Sequence, residues 1–291
     1  MRRLPFLRFM QPKGRRKERM ETTEYVEKAK TEERVAFEIE QNALRGLVKM
    51  LARLGDESIL FSVTEKAMRL FAIDESHVAM AMGYINKESF RKYAISNEHA
   101  FAIGIAELKS VLTLSDKKSV VHFSKINEKV HMETEDGFSQ EFTIELNGKT
   151  IEVPGIKYEQ GVLVGLKGLA EVAAYAEDVE SDSIKLTKDG TVLTVQFRRG
   201  NTLLEKVLPI SKEKGTVEMA DGVYGTYSPK YLKDILKGMY QLCGDVPVMV
   251  RMKFNDSGNG AAPLKISFRA ELDSGKNRTI RGYAMVAPQY E

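Results

Sequence analysis

The sequence predicts an α+β protein in which one helix-plus-strands unit recurs four times, with the helices gathered on one side of antiparallel sheets. Amphipathic helical stripes begin about 60 residues apart, and runs alternating apolar with polar residues follow each of them. A sheet needs one face covered, and an amphipathic helix has only one apolar stripe to offer. Helices therefore lie on sheets, and their polar faces share a surface.

The first helix is expected over residues 41–54, because Leu44, Leu47, Val48, Leu51 and Leu54 recur at the three-and-four spacing of one buried face and Gly55 ends it. A hairpin follows, with strands 58–63 and 68–73 joined by Thr64-Glu65-Lys66-Ala67. A second helix, 106–114, precedes strands 119–123 and 129–134, which turn at Asn127-Glu128. The third helix is placed at 163–176 by Leu166, Leu169, Ala170 and Ala173. Strands 183–186 and 192–197 follow it around Lys188-Asp189-Gly190. The fourth runs 229–242, with Ser228 in the N-cap position and Pro229 opening the first turn; strands 246–254 and 264–270 complete its unit. The Gly- and Pro-punctuated stretch 146–155 suits a linker between two halves of two units each.

Composition sets further bounds. A chain of 291 residues with 43% hydrophobic content buries a sizeable core and suits two domains. No apolar run approaches the roughly 18 residues a spanning helix needs. The single Cys243 allows no internal disulfide, which agrees with an intracellular protein. The net charge of +3 is unevenly spread. Residues 1–19 hold eight basic side chains against Glu18, a net +7, leaving 36 basic against 40 acidic residues, or −4, for the rest. That segment is read as a solvated tail or as a weak phosphate contact.

The polar helix faces are cationic. Arg45, Lys49 and Arg53 line up at i, i+4 and i+8 on the first helix, Lys230, Lys233 and Lys237 do much the same on the fourth, and Lys109 and Lys167 stand on the other two. In a body of net negative charge this segregates positive charge to the helix surface, where it can meet phosphates without reading bases.

Three stretches carry a family resemblance. Met68-Arg69-Leu70-Phe71-Ala72-Ile73-Asp74-Glu75-Ser76-His77-Val78 resembles the archaeal and eukaryotic proliferating-cell-nuclear-antigen (PCNA) type of DNA sliding clamp, in which a strand ends in a D-x-S-H-V turn. Tyr227-Ser228-Pro229-Lys230-Tyr231-Leu232 is similar to the last helix of those clamps, and Met285-Val286-Ala287-Pro288 to their L-A-P terminus. Ala262-Pro263-Leu264 matches the turn opening their penultimate strand. The similarity covers about residues 34–291 in the right order.

The resemblance implies the DNA clamp fold: a homotrimeric ring with helices lining the hole and sheet outside. It implies clamp domains at 34–145 and 159–291, a connector at 146–158, and an N-terminal extension at 1–33 expected to be disordered or partly helical. The eight helix cations fall at its pore-lining positions. Strands 129–134 and 192–197 are then the candidate subunit edges, through Val130, Met132, Val192, Thr194 and Gln196. Polymerase, flap nuclease, DNA ligase and clamp loader are the implied partners beside double-stranded DNA. The first three would insert a helical plug with aromatic anchors into a pocket lined by Ile73, His77, Val78, Met80, Pro263, Met285, Val286, Pro288 and Tyr290. A nuclear site is implied in a eukaryote, and a cytoplasmic or nucleoid one in an archaeon or virus. The chain departs from the family in three ways. Its connector has Lys149 instead of an acidic run, Ala284-Met285 replaces the aromatic pair before the terminus, and the basic extension has no counterpart.

Enzyme readings find little support. His77, His99, His122 and His131 show no metal-binding spacing, and one cysteine cannot complete a zinc site. Asn147-Gly148-Lys149-Thr150 ends like a phosphate-binding loop but has Thr143 where the first glycine is required. No cofactor, metal or membrane association is expected. The rival readings are a subunit of a heteromeric, checkpoint-type clamp and an enzyme on a duplicated scaffold, whose signature would be titratable groups converging in a cleft.

Overall fold

A computed structural model describes residues 34–55, 57–114, 119–144, 156–158, 160–212, 219–253, 262–271 and 278–289. The first half runs β1 (Arg34–Glu40), α1 (Gln41–Leu51), β2 (Ser58–Val63), β3 (Ala67–Ile73), β4 (Ala79–Asn86), β5 (Lys92–Ile95), β6 (His99–Gly104), α2 (Ile105–Leu114), β7 (Val120–Ile126), β8 (Lys129–Thr134) and β9 (Ser139–Thr143). The second runs β10 (Val162–Gly165), α3 (Leu166–Asp178), β11 (Ile184–Asp189), β12 (Val192–Arg199), β13 (Thr202–Ser211), β14 (Tyr224–Tyr227), α4 (Pro229–Cys243), β15 (Pro247–Arg251), β16 (Leu264–Glu271) and β17 (Thr279–Val286). The basic extension and most of the expected connector lie outside the described residues.

The four-unit pattern is present, with helices starting at residues 41, 105, 166 and 229. Each unit also has a strand leading into its helix, which periodicity did not reveal. One of these strands corrects a helix boundary. Residues 163–165, read as helical, belong to β10, because Val162-Leu163-Val164 suits a strand and pairs on both sides, with β13 and with β15. Ser228 occupies the N-cap of α4 without a side-chain capping bond; its carbonyl instead accepts the Leu232 N–H at 3.2 Å.

All strand pairs among the described residues are antiparallel. The described strands form one sheet ordered β5-β1-β7-β8-β9 and a longer one ordered β14-β11-β12-β13-β10-β15-β16-β17-β4-β3-β2-β6. Aromatic rings fill the space between the two sheets of the first half: Phe37 stacks on Phe123 at 4.4 Å within one sheet, Phe61 on Phe101 at 5.3 Å within the other, and Phe123 reaches Phe61 at 6.3 Å across the gap. The longer sheet joins the two halves of the chain, because β17 near the C-terminus pairs with β4 from Ile280↔Ile85 to Val286↔Ala79.

One face of this framework is covered by the helices in the spatial order α2, α1, α4, α3. Their apolar stripes, including Leu44, Leu47, Leu108, Leu112, Leu169, Ala173, Leu232 and Leu236, enter one continuous core with the strands. At the seam between halves, α1 and α4 approach closely. A Cβ at Gly238 would lie 2.9 Å from Met50 Cα, so only glycine lets the two helix backbones meet there.

The expected subunit edges need correction. Strand β8 pairs with both β7 and β9, and Val130 and Met132 are fully buried in the core. Strand β12, with Val192, Thr194 and Gln196, pairs with both β11 and β13. The free edges lie one strand further out. β9 ends the five-stranded sheet, while β13 meets β10 only at Ile210 and Ser211, leaving the outer side of residues 202–209 without a strand partner among the described residues. Both outer strands lack the period-two signal: β9 reads Ser-Gln-Glu-Phe-Thr, and β13 contains Pro209, a residue tolerated at sheet edges.

Candidate nucleic-acid wall and partner groove

The polar helix faces form a wall whose charge is concentrated at its centre. The stretch 41–53, comprising α1 and its C-terminal turn, has three cations and no acid; α4 has Lys230, Lys233 and Lys237 against Asp234. Helix α2 balances Lys109 with Glu107, and α3 sets Lys167 against Glu171, Glu177 and Asp178, so the outer helices add no net positive charge. Lys49, Lys109, Lys167, Lys230 and Lys237 are exposed, and Arg45 is half-buried.

Two of the predicted cations are engaged between helices. Arg53 pairs with Asp234 of α4 at 3.4 Å. Lys233 reaches Glu177 and, at 3.2 Å, Asp178 of α3; Glu177 first and Asp178 second hold its ammonium above the usual lysine range. These contacts tie α1 to α4 and α4 to α3. They leave Arg45, Lys230 and Lys237 as cations at the middle of the wall with no ion pair among the described residues.

On the opposite face of the longer sheet lies a separate apolar cluster. Its buried floor is Phe71, Met80 and Met285, with Leu60, Ile73, Met82 and Tyr283 around it and Ile156 and Tyr158 lying over it. Register explains why they meet, since directly opposed residues of antiparallel strands share a face. One row runs Leu60, Phe71, Met82, Tyr283, Ser267 across β2, β3, β4, β17 and β16; the next runs Ile73, Met80, Met285, Lys265, Arg251 across β3, β4, β17, β16 and β15. Tyr158 donates its hydroxyl to the Pro263 carbonyl, and burial pushes its phenol up to about 12.

The turn beside this cluster, which forms the lip of the candidate groove, is built by Asp74, which is buried. Its carboxylate accepts the Ser76 N–H at 3.1 Å, the Ala79 N–H, and, from the other half of the chain, the Tyr231 hydroxyl of α4 at 2.8 Å. The turn brings His77 to φ 57° with its ring exposed and its N–H bonded to the Asp74 carbonyl at 2.9 Å. The C-terminal residues close the structure: Ala287 N–H donates to the Val78 carbonyl at 2.7 Å and Gln289 N–H to that of Thr226 at 2.8 Å.

Residues 36–151 match the family model of the proliferating cell nuclear antigen N-terminal domain. A DNA polymerase sliding clamp of Thermoplasma volcanium is 25% identical over 260 residues, covering 88% of this chain and 99% of the relative. Sliding clamp 1 of Sulfolobus acidocaldarius is 24% identical over 75% of this chain and 92% of its own length. The solved PCNA of Thermococcus kodakaraensis superposes with a TM-score of 0.71 at 20% identity, covering 88% of this chain and all of that one. The Archaeoglobus fulgidus PCNA bound to the C-terminal region of FEN-1, also at 0.71, is 16% identical, with 88% and 99% covered. The first half of the chain thus matches the PCNA N-terminal family model, and the chain has the fold of the PCNA-type sliding clamps.

Within this PCNA-like fold, the predicted pocket residues divide. Ile73, Met80 and Met285 lie in the groove, while Val78, Pro263 and Pro288 are half-buried around the lip and His77 stands exposed beside it. Tyr290 and Lys149 lie outside the described residues. Val286 is corrected: strand alternation turns it away from Met285, into the core beneath the helices, as it does Ala284. Phe71, Met82, Tyr158 and Tyr283 were missed, although the same alternation, counted from Ile73, Met80 and Met285, points to three of them. Accordingly, Val286→Ala is expected to cost about 2 kcal/mol of stability in chemical denaturation as a core cavity. Met285→Ala is expected to act mainly on binding at the groove, which peptide titration of the two variants will separate.

Proposed function

We propose that the protein is a DNA sliding clamp and polymerase processivity factor, a non-catalytic homotrimeric ring. It encircles duplex DNA without reading sequence and tethers polymerase, nuclease and ligase through the groove after a clamp loader has placed it. One observation carries this reading: a single sheet framework presents a helix wall with central cations on one face and a lipped apolar groove on the other. The wall faces phosphates, which it meets as point charges, and the groove receives a helical plug with aromatic anchors. In this reading the clamp domains span 34–145 and 159–291, and the protein works inside the cell, on DNA.

The ring closes by edge-to-edge pairing of β9 in one subunit with β13 in the next. This satisfies the open edge of residues 202–209 and covers Leu203 and Val207, which are 54% and 48% exposed in the single chain. The expected mass in solution is three times the 32.8 kDa of the chain. A stable monomer that assembles only with unlike partners would instead support the heteromeric clamp.

The wall has its own test. Replacing Arg45, Lys230 and Lys237 together by Ala is expected to leave the trimer intact and to flatten the salt dependence of duplex binding, by about 0.9 in log–log slope for each phosphate no longer neutralised. An unchanged slope refutes the wall assignment.

A further inference from the structure

The groove's second row ends in charge. Beyond Ile73, Met80 and Met285, the next register partners on the same face are Lys265 of β16 and Arg251 of β15, which stand directly opposite one another. Like charges so placed repel. Burial, and then the neighbouring Arg251, holds the Lys265 ammonium below the usual lysine range; burial alone lowers Arg251.

No carboxylate answers them among the described residues. Lys265 lies over the ring of Tyr283 at 4.1 Å and reaches that of Tyr158 at 5.9 Å, and Arg251 donates to Ser267 Oγ at 3.0 Å. Several cations elsewhere on the sheets do have acid partners. Lys92 pairs with Glu38 at 3.0 Å, Lys129 with Glu141 at 2.9 Å, and Lys188 with Asp221. A half-desolvated cation pair without a counter-charge is disfavoured in the free chain, and an anion from outside relieves it.

We propose that Lys265 and Arg251 form a carboxylate-binding lip of the partner groove, so that this clamp selects protein partners whose plug carries an Asp or Glu beside its aromatic anchors. The inference rests on the reading of the groove as the partner pocket. A protein partner is favoured over nucleic acid because the two cations continue an apolar row, Met285 and Met80, that a sugar-phosphate chain cannot fill. They also lie on the sheet face away from the helix wall. The rings of Tyr283 and Tyr158 hold the Lys265 stem in place, which keeps its charge at the groove margin.

The test titrates the full-length protein with synthetic clamp-binding peptides that share one hydrophobic turn and one aromatic pair. A single Asp is walked through the positions flanking the pair, each peptide being compared with its Asn counterpart. At one or more positions the Asp peptide is expected to bind about tenfold tighter at low salt, a difference of the size that a partly desolvated charge pair supplies. Lys265→Met with Arg251→Gln, which keeps the packing on the two tyrosines, is expected to erase that difference while retaining the affinity for the Asn peptide. Lys265→Glu is expected to reverse the preference. Equal binding of Asp and Asn peptides at every position overturns the lip and leaves the groove. Discrimination that survives in the double variant also overturns it, because the carboxylate is then read elsewhere. Binding of neither peptide overturns the groove and the lip together.

Discussion

Asp74→Ala is expected to lower stability by about 4 kcal/mol and to abolish peptide capture at the groove. The carboxylate is 6% exposed and serves three donors: the N–H groups of Ser76 and Ala79 and the hydroxyl of Tyr231. Removing it strands the buried Ala79 N–H and the part-buried donors of Ser76 and Tyr231, at about 1–3 kcal/mol for each one that water cannot reach. It also releases the turn that holds His77 at positive φ and presents the Val78 carbonyl to Ala287. Urea denaturation gives the stability change, and titration with a clamp-binding peptide gives the functional loss. Tyr231→Phe removes only the bond between the two halves and is expected to cost about 1 kcal/mol. An Asp74→Ala chain as stable as Tyr231→Phe would show that the turn is held by something other than this carboxylate.

The second large effect is expected at Gly282. It lies in β17 opposite Gly83 of β4, where the longer sheet joins the two halves, and Leu47 of α1 presses on the same point. A Cβ on Gly282 would collide with the Met82 carbonyl oxygen and lie 2.6 Å from Phe268 Cζ; one on Gly83 would collide with Leu47 Cδ1. Relief at Gly282 requires one strand backbone to move against another, because the obstructing oxygen belongs to the ladder. Gly282→Ala is therefore expected to cost about 3 kcal/mol, the upper end of overpacking in a filled core. It is also expected to weaken trimer formation, since the seam sets the angle between halves. Gly165→Ala is the control: its backbone has φ −64° and nothing lies within 4 Å of the added carbon. That variant is expected to be neutral or slightly stabilised. Thermal melting of the two, with the oligomer mass of Gly282→Ala, checks both expectations.

Much of the fold was legible in local pattern. Helix starts fell within a few residues of their true positions because leucine spacing reports a buried face directly. The hairpins β2–β3 and β11–β12 were readable from alternation around a turn. Strands such as β9, mostly polar with Phe142 its one apolar residue, and β10, only four residues long, carry no such signal. Missing β9 displaced the predicted subunit edge inward to Val130 and Met132, and missing β13 displaced the other edge to Val192, Thr194 and Gln196. The groove was reached through the D-x-S-H-V resemblance, which located Ile73, Met80 and Met285. Motif position does not report which way a strand residue faces, and so it misplaced Val286.

By themselves, the residues determined the four-unit α+β plan, the separation of cationic helix faces from a net-acidic body, and a resemblance to the clamp family through the turn at Asp74–Val78 and the Ala287-Pro288 terminus. Those properties depend on spacing along one segment, or on the kind of residue at each position. Only the tertiary structure decided that Arg53 and Lys233 are engaged by acids of neighbouring helices. It also decided that Asp74 is bonded to Tyr231, 157 positions away, and that Lys265 and Arg251 stand together at the end of the groove. Each of these depends on register between strands, or packing between helices, far apart in the chain. Distances set by folding are not written in the spacing of any one segment.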